Sequence, residues 1–149
     1  MMFLDTNIFL RYLATPTTPD VQLLAEKAHH LFAQIKTGEA EATTSEVVIH
    51  EVCFILRSRK HYGSSVAEVT QSVAAVLAWP GMTFPMGDKE IYLRALNLWS
   101  QRPKLGFADS VIAARCERSG HELATFDRHF RDLPFLDFWQ PESSVPNEP

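Results

Sequence analysis

Five short segments that read as strands, at residues 2–4, 42–44, 82–84, 122–126 and 136–138, alternate with stretches of helical periodicity. This alternation is what most narrows the possible folds. The helical signal is strongest over residues 20–36, where Val21, Leu24, Ala25, Ala28, Leu31, Phe32 and Ile35 recur at intervals of three and four before Gly38 breaks the run. Further helices are predicted over residues 7–13, from a cap at Thr44 or Ser45 to about residue 60, and over 66–79, 88–101 and 107–118. Strands alternating with helices form βα units, so the chain is predicted to be α/β, with a mainly parallel sheet covered by helices on both faces. Sheets of this kind bind ligands beyond the carboxyl ends of their strands.

The chain has 149 residues, enough for one domain with a sizeable core. Residues 1–140 are read as that domain, and the Pro-, Ser- and acid-rich stretch 141–149 is predicted to be a disordered tail. At 46% hydrophobic and 21% charged residues, the composition excludes a fully disordered or collagen-like chain. No apolar run approaches the ~18 residues of a membrane span. The first residues lack a basic group and place Asp5 where a signal peptide needs apolar side chains, so a cytoplasmic location is expected. Cys53 and Cys116 stand far apart in apolar helical patterns, without the close Cys/His spacing of a zinc site, and are expected to be buried free thiols. The net charge of −4 disfavours non-specific polyanion binding, but says little about an enzyme that handles a polyanion through metal ions.

Four acids carry the chemical signal. Asp5 lies at the carboxyl end of the first strand and Asp127 just past the strand at 122–126, where either also suits a helix cap or turn. Asp109 falls in the first turn of a helix, a favourable place for any carboxylate, yet it shares a stripe with Ile112 and Cys116. Glu51 is the least ordinary. On its helix Phe54, Val47, Ile55, Val48, Val52 and Leu56 form one apolar arc, and Glu51 falls inside it, between Val47 and Ile55. A buried carboxylate is costly unless paired or bound to a cation, so Glu51 is expected either to pair with Arg11 or Arg115 or to hold a metal. Two strand-end acids and two core-bordering acids can converge on one cleft. Mg2+ and Mn2+ prefer such oxygen ligands, and a cation held there can activate water and stabilise in-line displacement at phosphorus.

Four blocks carry a family resemblance. They are Phe3-Leu4-Asp5-Thr6-Asn7-Ile8-Phe9-Leu10-Arg11-Tyr12-Leu13, Thr44-Ser45-Glu46-Val47-Val48-Ile49-His50-Glu51, Phe107-Ala108-Asp109-Ser110-Val111-Ile112-Ala113-Ala114 and Thr125-Phe126-Asp127. In this order and separation the sequence resembles the PIN-domain ribonucleases, and most of all the VapC-type toxins of prokaryotic toxin–antitoxin pairs, from residue 2 to about residue 139. The resemblance implies a central parallel sheet of four or five short strands between helices, often in a homodimer. It implies Mg2+- or Mn2+-dependent endonucleolytic cleavage of RNA, frequently tRNA or rRNA, and a small VapB-type antitoxin that occludes the acidic pocket. By the family pattern Asp5, Glu51 and Asp109 are metal-binding acids and Asp127 a fourth. Thr125 supplies a hydroxyl two residues before Asp127, and Asn7 hydrogen-bonds within the cluster.

Other motifs weigh less. Arg57, Arg59, Lys60 and Lys104 are candidate RNA-phosphate contacts, though a basic last helical turn also suits the helix dipole. Trp79, Trp99 and Trp139 read as core or interface anchors. His50-Glu51 resembles the start of H-E-x-x-H, but Phe54 stands where the second histidine belongs. An Asp-based phosphatase or phosphotransferase is the alternative enzyme class. The haloacid dehalogenase pattern needs a second Asp two residues after Asp5, where this chain has Asn7, and neither it nor a receiver-type acid pocket accounts for Glu51. A non-catalytic RNA-binding module gains nothing from carboxylates facing a polyanion.

Overall fold

The computed structural model describes residues 1–141, so the expected tail falls, apart from Pro141, outside the described residues. The fold is mixed α/β. β1 (Met2–Phe3) leads into α1 (Thr6–Leu13) and α2 (Pro19–Thr37); β2 (Ala42–Thr43) leads into α3 (Glu46–Arg57), α4 (Val66–Leu77), α5 (Asp88–Gln101) and α6 (Gly106–Ser119). β3 (Glu122–Leu123), a 3-10 turn (Arg128–Phe130) and β4 (Asp137–Phe138) follow.

Capping residues set these boundaries. Thr18, Ser45 and Ser65 each accept a backbone N–H in the first turn of the helix that follows them, and Pro19 starts α2 where its missing N–H costs nothing. α3 ends at Arg57, short of residue 60. The N–H groups of His61, Tyr62 and Gly63 all turn back onto the Ser58 carbonyl, with Gly63 in the left-handed region at φ 59°.

The strands run parallel, as expected, but do not form one central sheet of four or five strands. β1 pairs with β2, Met2 opposite Ala42 and Phe3 opposite Thr43, and Ala42 bridges onward to Met82. β3 pairs separately with β4, Glu122 opposite Asp137 and Leu123 opposite Phe138. Among the described residues the two pairs share no ladder. The strands are short because helix caps follow them at once: Asp5 caps α1 two residues after β1, and Ser45 caps α3 two residues after β2.

One core unites the elements. α1 packs on α2 and α3, α4 on α3 and α5, and α5 on α6. Phe9 meets Phe32 edge-on at 5.6 Å between centroids, Tyr12 stacks on Phe32 at 4.4 Å, and Trp79 closes the group edge-on to both Tyr12 and Phe32. Fully burying a side chain such as Phe32 contributes about 1.5–3 kcal/mol, so this cluster is a principal link between the N-terminal helices and the end of α4. Cys53 is buried, and burial pushes its thiol up to about 12; Cys116 is only half-buried, with its thiol raised by the same cause.

Gly81 marks the tightest junction. Its N–H donates to the Ile35 carbonyl near the end of α2 (3.0 Å), and its carbonyl accepts from the Ala42 N–H of β2 (2.8 Å). A Cβ at this position would strike the carbonyl oxygens of Ala40 and Ile35, so glycine is required for space. Gly81→Ala is expected to lower stability by about 1–3 kcal/mol, the usual cost of overpacking. A urea melt measures this, and an unchanged midpoint would mean that the junction opens freely.

Candidate metal centre

The ends of β1 and β2 are tied side by side. The Leu4 N–H donates to the Thr43 carbonyl (2.8 Å), and the buried Thr44 hydroxyl donates to the Leu4 carbonyl (2.8 Å). This pair of bonds sets Asp5, the next residue, beside the start of α3. Asp5 Oδ1 accepts from the Thr6 N–H (2.7 Å), capping α1. The Thr6 hydroxyl, on a residue only 5% exposed, donates to Glu51 Oε2 (3.0 Å) and so links α1 to α3. Asn7 is exposed in the first turn of α1.

Glu51 does not sit in a buried arc. The buried face of α3 is Val48, Ile49, Val52, Cys53 and Leu56. Val47 and Phe54 are 74% and 67% exposed, and Glu51 is exposed on the same flank. α3 is apolar over more of its circumference than the core can cover, so a polar residue between two apolar ones is no sign of burial there. The expected ion pair to Arg11 or Arg115 is also absent among the described residues. Arg115 instead holds Glu46, Nη2 to Oε1 at 2.7 Å, with Asp88 Oδ1 at 3.8 Å from its Nη1. The partner of Glu51 is the Thr6 hydroxyl.

A second group forms at the other end of the chain. Asp109, half-buried in the first turn of α6, Asp127, after β3, and His129 each offer one ligand atom, and all three atoms lie within 4.8 Å of one another. The segment carrying Asp127 and His129 is shaped locally. The Asp127 N–H donates to the Thr125 hydroxyl (3.0 Å), Asp127 Oδ1 accepts from the His129 N–H (2.9 Å), and His129 Nδ1 lies 3.2 Å from the same oxygen. Buried Phe130 anchors the 3-10 turn in the core. Partial burial raises the Asp109 carboxyl above its ordinary value, the neighbouring Asp127 charge raises it further, and His129 opposes them. Neither Asp5 nor Glu51 joins this group. Two carboxylates and an imidazole held this close are a donor set that a divalent cation satisfies, because the cation offsets their mutual repulsion.

His129 and Thr6 are functional neighbours that the four acids alone do not point to. The available signal for Thr6 is a hydroxyl directly between Asp5 and Asn7; for His129 it is the position two residues after Asp127, the reach of an Asx turn. Of the two expected caps of α3, Ser45 performs that task, while the Thr44 hydroxyl goes to the Leu4 carbonyl. Of the basic candidates, Arg57 donates from Nη1 to the Ser64 carbonyl (3.0 Å) and closes the loop after α3, while Arg59, Lys60 and Lys104 are exposed.

A family model described as PIN domain matches residues 2–136. No curated protein matches the chain.

The raised Asp109 carboxyl has a signed consequence. A group whose folded-state pKa is raised favours the fold while protonated, and that contribution is lost as pH rises through the folded value. In chelator at pH 7, Asp109→Asn is therefore expected to be more stable than the wild type by about 0.2–1 kcal/mol, the scale for partly solvated charges. The gap should close as pH falls below the ordinary carboxylate range. Denaturant melts across pH measure this, and a wild type more stable than the variant at pH 7 would mean that Asp109 is favourably paired.

Proposed function

The chain belongs to the PIN-domain family, and from that membership we propose that it is a metal-dependent endoribonuclease whose metal-binding and catalytic residues are Asp5, Glu51, Asp109 and Asp127. PIN domains are generally metal-dependent nucleases that act on RNA. The observation that carries the reading is the gathering of ligand atoms of Asp109, Asp127 and His129 within 4.8 Å of one another. Asp5, beside the tied ends of β1 and β2, and Glu51 of α3 lie outside that group and are the further acids of this reading, with Thr6 holding the Glu51 carboxylate. Asn7 and Thr125 are the supporting polar groups, and Thr125 already fixes the backbone of Asp127.

The cation in this reading is Mg2+ or Mn2+. Bound by these acids, it supplies an activated water and charge stabilisation at the scissile phosphate. The chain's own contribution is to keep the carboxylates oriented before substrate arrives. Asp5 is held by the Thr6 amide, Glu51 by the Thr6 hydroxyl and Asp127 by the His129 amide. Arg59 and Lys60, exposed after α3, serve as phosphate contacts, and Arg57 shapes the loop that presents them.

The finer reading is a toxin of a toxin–antitoxin pair, a cytoplasmic homodimer with tRNA or rRNA as substrate. Its support is the resemblance of the four motif blocks to VapC-type toxins. Val47 and Phe54 add to it: exposed beside Glu51, they give the acids an apolar rim that a small VapB-type antitoxin can cover. No described helix is long and apolar enough to cross a membrane.

Asp5→Asn should lower metal-dependent RNA cleavage by at least about 100-fold while preserving the fold, as expected when one member of a jointly acting set is removed. Small phosphate esters should remain uncut by the wild type. Cleavage by Asp5→Asn at a near wild-type rate in Mg2+ would overturn the assignment. Metal at 100 times its Kd should also stabilise the wild type by about 2.7 kcal/mol in a melt, which reports binding without reference to activity.

A further inference from the structure

Between α5 and α6 the chain makes a tight turn at residues 102–105. The Leu105 N–H donates to the Arg102 carbonyl (2.9 Å), and Pro103 occupies the second position, where its fixed φ favours the turn. Buried Trp99 donates its Nε1–H to the Pro103 carbonyl (3.3 Å), and buried Leu105 holds the far end in the core. The turn is thus pinned on both sides while Lys104, at its tip, stays exposed. Among the described residues Lys104 makes no ion pair. Arg102 is fixed as well, donating from Nη2 to the Asp132 carbonyl (3.1 Å).

Arg102, Pro103, Lys104 and Leu105 line one cleft of about 270 Å³ together with His129 and Asp132. His129 joins this cleft to the acid cluster, since its Nδ1 lies 3.2 Å from Asp127 Oδ1. Against the Asp132 carboxylate stand two permanent cations, both on a turn that needs little ordering to meet a ligand. An anionic catalytic centre repels an RNA backbone, and a chain with a net charge of −4 has no general attraction to offset that. Cations placed beside the acids supply the attraction where it is needed.

We infer that this cleft is a subsite for an RNA backbone phosphate next to the scissile one, with Lys104 as the direct contact and Arg102 as the fixed second donor. The inference rests on the nuclease reading and extends it to how the strand is seated. Phosphate contacts of this kind position a strand without reading its bases, so the effect should be independent of sequence.

The test is fluorescence anisotropy of a labelled single-stranded RNA, titrated in chelator across a salt series so that metal-dependent cleavage is off. Lys104→Gln should reduce the log–log salt slope by about 0.7, the value of one phosphate contact to a single strand. Lys104→Arg should restore the slope, and Lys104→Glu should weaken binding further than Lys104→Gln. Lys27→Gln, at an exposed position of α2, is the control and should change nothing. In metal, Lys104→Gln should raise KM and leave kcat nearly unchanged. A wild-type slope in Lys104→Gln overturns the subsite, and if the wild type still cleaves RNA the nuclease reading survives that result. A reduced slope in a protein that never cleaves RNA keeps the phosphate contact and removes the nuclease reading. Because Lys104 is exposed at the tip of a turn pinned by other residues, its variants should melt as the wild type does.

Discussion

The hydroxyl of Thr44 on the carbonyl of Leu4 is the bond around which the N-terminal half of the molecule is arranged. Both residues are buried, so the alternative to this bond is an unsatisfied carbonyl away from water, at a cost of about 1–3 kcal/mol. Two residues of strand cannot hold two chain segments in register alone. With this bond added, the ends of β1 and β2 are fixed, and α1 and α3 start from neighbouring points. The Thr6–Glu51 contact, forty-five residues apart in sequence, follows from that common origin.

Much of the architecture is legible in the sequence because helix caps and breakers are local. Pro19, Ser45, Ser65, Gly38 and Gly120 act on the backbone within a few residues, and the helix bounds follow them closely. Burial is less legible, because it depends on what arrives from elsewhere. α3 has apolar residues nearly all round, and only the packing of α1, α4 and α6 selects Val48, Ile49, Val52, Cys53 and Leu56 as its inner face. For that reason the apolar arc suggests burial for Glu51, which lies on the open flank. Sheet pairing is harder still, since a strand of two residues carries no periodicity to fix its partner. Within the site, the acids stand out by residue type and position. Thr6, Thr44 and His129 do not, because a hydroxyl or imidazole gains its role from the neighbour it meets.

The two acid groups differ in what surrounds their carboxylates. Asp5 and Glu51 each accept from a donor, a backbone amide in one case and a hydroxyl in the other. Asp109 has burial and a like charge against it and only His129 in its favour. A cation bound beside Asp109 would offset that repulsion.

The pairing of β3 with β4 has a consequence for when the Asp109 cluster comes into being. The Trp139 N–H donates to the Leu123 carbonyl and extends the ladder that fixes the start of the 122–130 segment, which carries Asp127 and His129. A ribosome making this chain at roughly 5–20 residues per second delivers Asp5, Glu51 and Asp109 well before the residues that complete and lock that cluster. A growing chain thus carries Asp5, Glu51 and Asp109 before the β3–β4 ladder is complete. The ladder beside the cluster can be completed only after residue 139 has left the ribosome, so the fixing of that segment is a late event in the synthesis of the domain.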